Sequence, residues 1–198
     1  MNKVSKHYDL LIDNGNDPFF DEHELSTYMD RWDGNEFIAS LGLDNSKNVL
    51  EIGCGTGRIA KKIVTSCKTY TGIDLSSKTI IVANKNFVHN TNVKLLHGNF
   101  LSYRFSRKYD VIFSTLTFMH IRNKKKALAK VHKLLKPGGI FVLSIDKNQQ
   151  KRINTGYSKI TVFPDSPQKT YDILASLDFI NITVKEVEFA YIFTAQRP

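Results

Sequence analysis

Cysteine is scarce in this sequence, and long apolar runs are missing from it. Only two of the 198 residues are cysteines, Cys54 and Cys67, too few for a disulfide framework and too far apart for a close pair of metal ligands. We therefore expect buried thiols in a reducing cytoplasm and no metal site. No segment approaches the roughly 18 consecutive apolar residues of a membrane-spanning helix. The first residues also lack the apolar core of a signal peptide, so a cytoplasmic protein without a membrane segment is expected.

Acidic residues are the minority among the charged ones. The chain has 28 Lys and Arg residues against 19 Asp and Glu residues, a net charge of +9, which raises the possibility of a nucleic-acid partner. The densest lysine group, at 124–136, alternates with apolar residues as in an amphipathic helix whose outer face is solvated. Aromatics interleaved with arginines, which single-stranded RNA favours, are missing there. Nucleic acid is therefore possible as a partner but not favoured.

Apolar strand patterns and helical patterns alternate from residue 48 onward. Strands are predicted at 48–52, 69–74, 93–98, 109–114 and 140–145, with helices between them at 58–66, 76–88 and 124–136. Strands separated by helices require crossover connections, hence a mostly parallel sheet with helices on both faces. Two alternating runs within 180–196 predict a C-terminal hairpin that adds an antiparallel strand. The predicted fold is a doubly wound, mostly parallel, seven-stranded α/β sheet.

The stretch VLEIGCGTGRIA at 49–60 places three glycines after the first predicted strand. A dinucleotide site uses G-x-G-x-x-G, so that the pyrophosphate lies on the N-terminus of a helix. Here the spacing is G-x-G-x-G, and Glu51 stands just before it. A carboxylate repels a pyrophosphate and attracts an ammonium group. The turn therefore favours a ligand with an amino acid end over a diphosphate.

A second acidic residue, Asp74, ends the second predicted strand. A carboxylate in that place can accept hydrogen bonds from ribose hydroxyls. A zwitterionic amino acid joined to a nucleoside describes S-adenosylmethionine. Two plainer interpretations stand beside this one, because glycines after a strand can simply make a tight turn, and Asp74 before Ser76 can begin a helix.

Five motifs at this point resemble those of class I S-adenosylmethionine-dependent methyltransferases over roughly residues 45–197. In chain order they read LEIGCGTG (50–57), GIDLS (72–76), HGNFLS (97–102), YDVIFSTLTFMHI (109–121) and LLKPGGIFVLS (134–144). By this resemblance Glu51 would hold the methionine ammonium group and Asp74 the ribose. The glycine turn would let the backbone approach the methionine part of the cofactor.

The resemblance also assigns the adenine and sulfonium ends of the cofactor. Leu75, Asn99 and Phe100 would face adenine, although the family often has Asp in the place of Asn99. Ser114 and Thr115, at the end of the fourth strand, would lie beside the sulfonium. The full set that the resemblance implies for cofactor binding is Glu51, Gly53, Cys54, Gly55, Thr56, Gly57, Asp74, Leu75, Asn99, Phe100, Ser114 and Thr115.

Residues 1–45 are polar and aromatic-rich, with helices expected at 22–31 and 36–41. We expect them to form a lid segment within the same domain as the core at 46–198. Aromatics are the candidates for covering the cofactor and acceptor, with the alternative that they only fasten helices to the sheet. They are Tyr8, Phe19, Phe20, Tyr28 and Trp32. The apolar run at 159–163 is a second candidate contribution to the lid.

His120 lies in the loop after the fourth strand, a place where similar methyltransferases frequently have a histidine that faces either the acceptor or the fold. As a catalytic residue, neutral imidazole can take a proton from a hydroxyl or ammonium acceptor. As a structural residue, it would cap the loop through a backbone carbonyl. Both interpretations stay open.

The acceptor itself leaves little mark on the sequence, because methyl transfer needs mainly alignment and exclusion of water. The [DN]-P-P-[FY] turn of nucleic acid amino-methyltransferases is missing, since that place reads STLT at 114–117. A length close to that of a bare catalytic core favours a small-molecule acceptor. The alternatives are an RNA or protein methyltransferase, and a protein that binds S-adenosylmethionine without transferring methyl groups.

Overall fold

Three helices precede the first strand in the computed structural model, which describes residues 3–198. They are α1 (Lys3–Asp13), α2 (His23–Asp33) and α3 (Asn35–Ser40), with a short 3₁₀ turn at Pro18–Phe20. The last two confirm the helices predicted before residue 45. The sequence pattern does not predict α1, because the residues that α1 buries are polar: Ser5, His7 and Asp9.

Strands and helices then alternate, as predicted, through the core. Their bounds are β1 (Asn48–Ile52), α4 (Ala60–Ile63), β2 (Thr69–Asp74), α5 (Ser77–Asn86), β3 (Val93–His97), β4 (Tyr109–Thr115), α6 (Lys124–Leu134) and β5 (Leu135–Asp146). The C-terminal part contains β6 (Arg152–Asn154), β7 (Lys159–Thr161), α7 (Pro167–Ala175), β8 (Ile180–Glu186) and β9 (Ala190–Gln196).

Seven of these strands form one sheet in the order β3-β2-β1-β4-β5-β9-β8. The first five in this order are parallel, whereas β9 runs antiparallel to β5, and β8 antiparallel to β9. The predicted fold class and the C-terminal hairpin are confirmed. Strand order reverses between β1 and β4, and the carboxyl ends of the strands at such a reversal form a ligand crevice.

Both faces of the sheet are covered, which explains the nearly unbroken apolar runs of its central strands. Neighbouring residues of β1 point to opposite sides, so Leu50 packs with Ile112 and Leu128 in one core, while Val49 packs with Phe113 in the other. These central strands are therefore held rigidly from both sides. The loops at their carboxyl ends are anchored on a fixed base.

Two helix boundaries differ from the prediction. The helix after the glycine turn is short, since α4 ends at Ile63 and continues only as a 3₁₀ turn at Val64–Ser66. The lysine-rich helix α6 ends at Leu134 rather than near Lys136, because Leu135 already pairs with Tyr109 of β4. A local shift of register between Tyr109 and Val111 admits the KPGG segment into β5.

Within residues 3–198, no helix combines the length and apolarity needed to cross a membrane. The same described part of the chain has no cluster of three or more His, Cys, Asp or Glu side chains that could hold a metal ion. Cys54 and Cys67 are free and buried.

Candidate active site

A cavity of about 600 Å³ lies at the carboxyl ends of β1, β2 and β4, a volume typical of small-molecule sites. Its floor is formed by the glycine turn, the end of β2 and the loops after β3 and β4. Its roof is formed by the N-terminal segment, which contributes Val4, Tyr8, Asn16, Pro18, Asp21, Leu25 and Met29.

The three glycines of the turn serve two different purposes. A Cβ atom on Gly53 would lie 2.0 Å from the Thr117 side chain, and one on Gly57 would lie 2.2 Å from the Phe87 ring. Both are therefore packing positions, and Gly57 does not line the cavity. Gly55 has a φ of +56° and nothing within 4 Å of a Cβ atom. Its backbone borders the open cavity, which leaves room for close approach of a ligand.

Glu51 is the penultimate residue of β1, and its side chain is buried against the cavity. The hydroxyl of Tyr70 donates a hydrogen bond to its carboxylate. Burial raises the pKa of Glu51 to about 8, although the Tyr70 hydrogen bond and the nearby Arg58 oppose the rise. A buried carboxyl of this kind is suited to an ammonium group, whose charge would compensate the lost hydration.

Asp74 ties the end of β2 to the glycine turn and to the start of α5. Its carboxylate accepts the backbone N–H of Gly55 at 3.0 Å and that of Ser76 at 2.9 Å. Ser76 in turn caps α5 by accepting the N–H of Thr79. Burial raises the pKa of Asp74, against the effect of these hydrogen bonds. Asp74 thus has a helix-start role and also lines the cavity.

The remaining turn residues support a ligand in different ways. Thr56 is buried, and among the described residues its Oγ1 atom has no hydrogen-bond partner. Because Thr56 lines the cavity, a polar ligand can satisfy that atom. Cys54 is also buried in the lining, and burial raises the pKa of its thiol, which makes the thiol unreactive.

The three residues assigned to adenine all line the cavity. Asn99 uses its side-chain oxygen to accept the N–H of Leu101 at 2.8 Å, so one lone pair of that oxygen stays free. Phe100 is almost fully buried and belongs to the core as well as to the cavity wall. Leu75 adds an apolar surface beside Asp74.

Ser114 and Thr115 point to opposite sides of β4, and only Thr115 lines the cavity. The hydroxyl of Ser114 is fully buried and donates to the carbonyl of Ile52 at 2.8 Å. Ser114 therefore fastens β4 to β1, and the structure places it away from the cavity where a sulfonium would lie. The hydroxyl of Thr115 donates to Asp33.

A buried ion pair that the sequence does not predict lies beside the glycine turn. Arg58 binds Asp33 through two parallel hydrogen bonds of 2.8 and 2.5 Å, and the Asp33 side chain is 0% exposed. The pair joins α2 to the cavity wall, since Arg58 lines the cavity. In the sequence, only the position of Arg58 directly after GCGTG could have indicated this ion pair. Nothing in the polar sequence of α2 indicates that Asp33 is buried.

Of the five aromatics predicted for the lid, Tyr8 alone lines the cavity. Phe19 packs on Phe87 with ring centres 5.3 Å apart, and Phe20 is 68% exposed. Tyr28 and Trp32 pack on Phe189. Phe19, Tyr28 and Trp32 thus fasten the segment to the core, and the roof is made mainly of aliphatic side chains.

The run at 159–163 also lies outside the cavity lining. It contains β7, which pairs with β6 in a small hairpin. The N–H of Phe163 donates to the carbonyl of Met119 at 2.7 Å, so the run supports the loop after β4 from outside.

His120 and Tyr8 meet at the cavity. Their Nε2 and Oη atoms are 2.8 Å apart, which joins the loop after β4 to α1. Burial lowers the pKa of His120 to about 4, with smaller contributions from His7 and Lys124. The imidazole is therefore neutral at pH 7, and among the described residues its Nδ1 atom has no hydrogen-bond partner.

Comparison with known proteins places this site in a family. Residues 50–143 match the family model described as a methyltransferase domain, a range that contains the glycine turn, both strand-end carboxylates and His120. Over these residues the chain is similar to a methyltransferase domain. The family match confirms the resemblance drawn from the five motifs, and S-adenosylmethionine is the cofactor of the family.

Two curated relatives illustrate the extent of the similarity. An uncharacterized methyltransferase of Anoxybacillus flavithermus is 35% identical over 121 residues, covering 59% of this chain and 56% of that protein. Malonyl-[acyl-carrier protein] O-methyltransferase 2 of Ilyobacter polytropus is 34% identical over 99 residues, covering 49% of this chain and 38% of that protein. The chain thus spans about half, or less, of the length of these relatives.

Solved structures share the fold at low sequence identity. DhpI in complex with SAH is 18% identical and has a TM-score of 0.77, over 98% of this chain and 94% of that one. The [4+2]-cyclase SpnF is 16% identical and has a TM-score of 0.76, over 99% of this chain and 96% of that one. The same fold therefore occurs in a protein named for a different reaction.

Proposed function

We propose that this protein transfers the methyl group of S-adenosylmethionine to a small-molecule acceptor by in-line displacement. The observation that carries the proposal is the roofed cavity itself. It brings together the glycine turn, Asp74, Tyr8 and His120. The roof of Val4, Leu25 and Met29 limits the space to a small molecule and excludes water, as the reaction requires.

The residues that line the cavity match the chemical groups of the cofactor. Glu51 would hold the ammonium group, Asp74 the ribose, and Leu75 with Phe100 the adenine. Gly55 and the free hydroxyl of Thr56 would face the methionine part. When bound, S-adenosylmethionine supplies a methyl group on a positively charged sulfur, which is already a good leaving group.

His120 has an orienting role in this proposal. Its pKa of about 4 makes the neutral imidazole a weak base, poorly matched to removing a proton from an alcohol at pH 7. Its hydrogen bond to Tyr8 instead positions both side chains at the acceptor end of the cavity. This arrangement suits an acceptor atom that already carries a free lone pair, because such an atom does not have to lose a proton first. The relative from Ilyobacter polytropus, named as an O-methyltransferase of a malonyl group, supports an oxygen acceptor.

The experiment that tests the proposal uses S-adenosylmethionine with a labelled methyl group. The protein is incubated with a cell extract, which is then separated into small-molecule, RNA and protein fractions. We expect label in the small-molecule fraction, no transfer by Asp74→Ala, and normal transfer by Asp172→Ala on the exposed side of α7. Label in RNA or in protein would contradict the small-molecule acceptor.

The fold of the [4+2]-cyclase supports a second candidate, a protein that binds the cofactor without methyl transfer. Calorimetry separates the two candidates. Both predict that S-adenosylmethionine and S-adenosylhomocysteine bind in the low to middle micromolar range, roughly −6 to −8 kcal/mol, and that NAD does not compete. Binding without label in any fraction would favour the second candidate.

A further inference from the structure

The acidic side chains that line the cavity come from β1, β2 and the N-terminal segment, and none comes from the segment after β4. Three carboxylates line the cavity, and all lie around the glycine turn. Glu51 lies near the end of β1, and Asp74 ends β2. Asp21 lies close enough to Arg58 and Lys61 for their charges to lower its pKa, against the larger opposing effect of burial. The segment after β4 contributes residues 115–117 and 120–122 to the lining, and none of them is acidic.

The two arginines of the lining differ in their partners. Arg58 is neutralised by its two hydrogen bonds to the buried carboxylate of Asp33. Arg122 is exposed at the mouth of the cavity. Across residues 3–198 no carboxylate lies within ion-pair distance of its guanidinium, and no hydrogen bond holds it. An unpaired guanidinium presents a planar set of donors that matches carboxylate and phosphate.

The other cation near this end, Lys124, is paired and lies outside the cavity lining. Lys124 lies behind the loop, where its Nζ atom is 2.9 Å from Asp165 and also donates to the carbonyl of Phe163. Its positive charge lowers the pKa of His120, which keeps the imidazole neutral. The segment after β4 therefore offers an anion one unpaired donor, Arg122, and offers a cation no carboxylate.

We propose that Arg122 is the specificity-determining residue of the acceptor site and binds an oxyanion group of the acceptor, a carboxylate or a phosphate. The inference rests on the proposed function, because it names the acceptor class of the same cavity. The acceptor is then a small organic anion, held at the mouth by Arg122 with its reacting atom toward Tyr8 and His120.

The test measures the binding of small probes to protein saturated with S-adenosylhomocysteine. Succinate and inorganic phosphate represent the two oxyanions, succinamide is the neutral counterpart of succinate, and putrescine is a dication. The variants are Arg122→Gln and, as a matched control, Lys125→Gln. Lys125 is exposed on α6, carries the same charge and lies outside the cavity lining.

We expect succinate or phosphate to bind the wild-type protein more tightly than succinamide and putrescine. Arg122→Gln should weaken that binding about tenfold, the scale of one charge-assisted hydrogen bond, while Lys125→Gln stays within about twofold. Binding of succinate but not phosphate, or the reverse, identifies which oxyanion the acceptor carries.

Several results would overturn the inference: tighter binding of putrescine, binding of neither anion, an unchanged Arg122→Gln variant, or an equal loss in Lys125→Gln. A loss of S-adenosylhomocysteine affinity in Arg122→Gln would also overturn it, by placing Arg122 in the cofactor site. Failure of the proposed function is distinguishable, because the labelled-methyl experiment would then show no transfer, or label in RNA or protein, whatever the anion binding of the Arg122 variant.

Discussion

Glu51 carries a carboxyl group whose ionisation should be linked to occupation of the cavity. Its folded pKa of about 8 lies above the ordinary value of 4.5, so about nine tenths of the molecules hold this proton at pH 7. An ammonium group beside it favours the carboxylate. We therefore expect S-adenosylhomocysteine binding at pH 7 to release close to one proton, measured by calorimetry in buffers of different ionisation enthalpy.

The control for this proton release is Glu51→Gln, which has no proton to lose. The variant should bind more weakly, and its binding enthalpy should not depend on the buffer. Affinity in the wild-type protein should rise with pH toward 8, because deprotonation of the free protein becomes less costly. Proton release that persists in Glu51→Gln would show that another group is linked to binding.

Substitution of the glycines of the turn should distinguish a packing role from a ligand-contact role. Gly55→Ala places a methyl group where nothing lies within 4 Å, so it should cost only about 1–2 kcal/mol of stability through its positive φ. The methyl group borders the cavity and should weaken S-adenosylhomocysteine binding about tenfold or more. Thermal unfolding and calorimetry on the same samples measure both effects.

Gly57→Ala is the matched comparison for Gly55→Ala. Its Cβ atom would lie 2.2 Å from the buried Phe87 ring, so overpacking adds about 1–3 kcal/mol to the strain of a positive φ. We expect Gly57→Ala to lower the stability more than Gly55→Ala does. Equal destabilisation, or a greater loss in Gly55→Ala, would contradict the division of roles within the turn.

At the scale of elements, α2 is held to the core by a buried charge pair and by an exposed one. Asp33 is fully buried against Arg58, whereas the Asp30 side chain is 35% exposed beside Lys62. Removing one partner of a buried pair leaves an uncompensated charge and costs about 3–5 kcal/mol. An exposed pair contributes about 0–1 kcal/mol.

Asp33→Ala should therefore lower the free energy of unfolding by about 3 kcal/mol, and Asp30→Ala by less than about 1 kcal/mol. Denaturant titration measures both variants, which differ by one turn of the same helix. A similar loss in the two variants would mean that the Arg58–Asp33 pair adds no more to stability than a surface contact.

Unlike α2, the first helix, α1, should not be needed for stable folding. The residues that α1 buries are Ser5, His7 and Asp9, so it adds no side chain to either apolar core. Asp9 binds the Ser76 hydroxyl, and Tyr8 binds His120. Deletion of residues 1–13 should therefore preserve cooperative unfolding while lowering S-adenosylhomocysteine affinity, since part of the cavity roof is lost. Loss of cooperative unfolding would show instead that α1 belongs to the folding core.

The elements that the sequence predicts are those whose side chains face an apolar neighbour. The run YDVIFS predicts β4 because both of its faces are buried, and the spacing of Ala127, Leu128 and Val131 predicts α6 because these three residues face the core. In α1 the buried residues are polar, so no apolar pattern predicts this helix. The end of α6 was misplaced because Leu135 is recruited by pairing with Tyr109, a partner distant in the sequence.

At the scale of the whole molecule, the residues that we propose for the cofactor could be located from local signals, whereas those that we propose for the acceptor could not. Glycines and a carboxylate at the end of a strand lie within a few residues of one another. The contact of Tyr8 with His120 joins residues 112 positions apart, and that of Asp33 with Thr115 joins residues 82 positions apart. Each depends on how the N-terminal segment folds over the sheet, which no short motif encodes.

Part of the positive charge of the chain, which has a net charge of +9, lies away from the cavity. Lys47, Lys68 and Lys108 directly precede β1, β2 and β4, and Lys136 lies at the start of β5. These lysines mark the amino ends of the strands, on the opposite edge of the sheet from the cavity. Positive charge on that edge can attract a phosphate backbone but cannot bring it to the site.

Any RNA binding by this protein should therefore be independent of the cofactor site. We expect RNA affinity to fall steeply with salt and to be the same with and without saturating S-adenosylhomocysteine. The double variant Lys68→Glu with Lys108→Glu changes two exposed residues and should weaken RNA binding while leaving S-adenosylhomocysteine affinity unchanged. Fluorescence anisotropy of a labelled RNA, read across a salt series, measures the first effect, and calorimetry measures the second. Competition between RNA and S-adenosylhomocysteine would contradict this arrangement and favour an RNA acceptor.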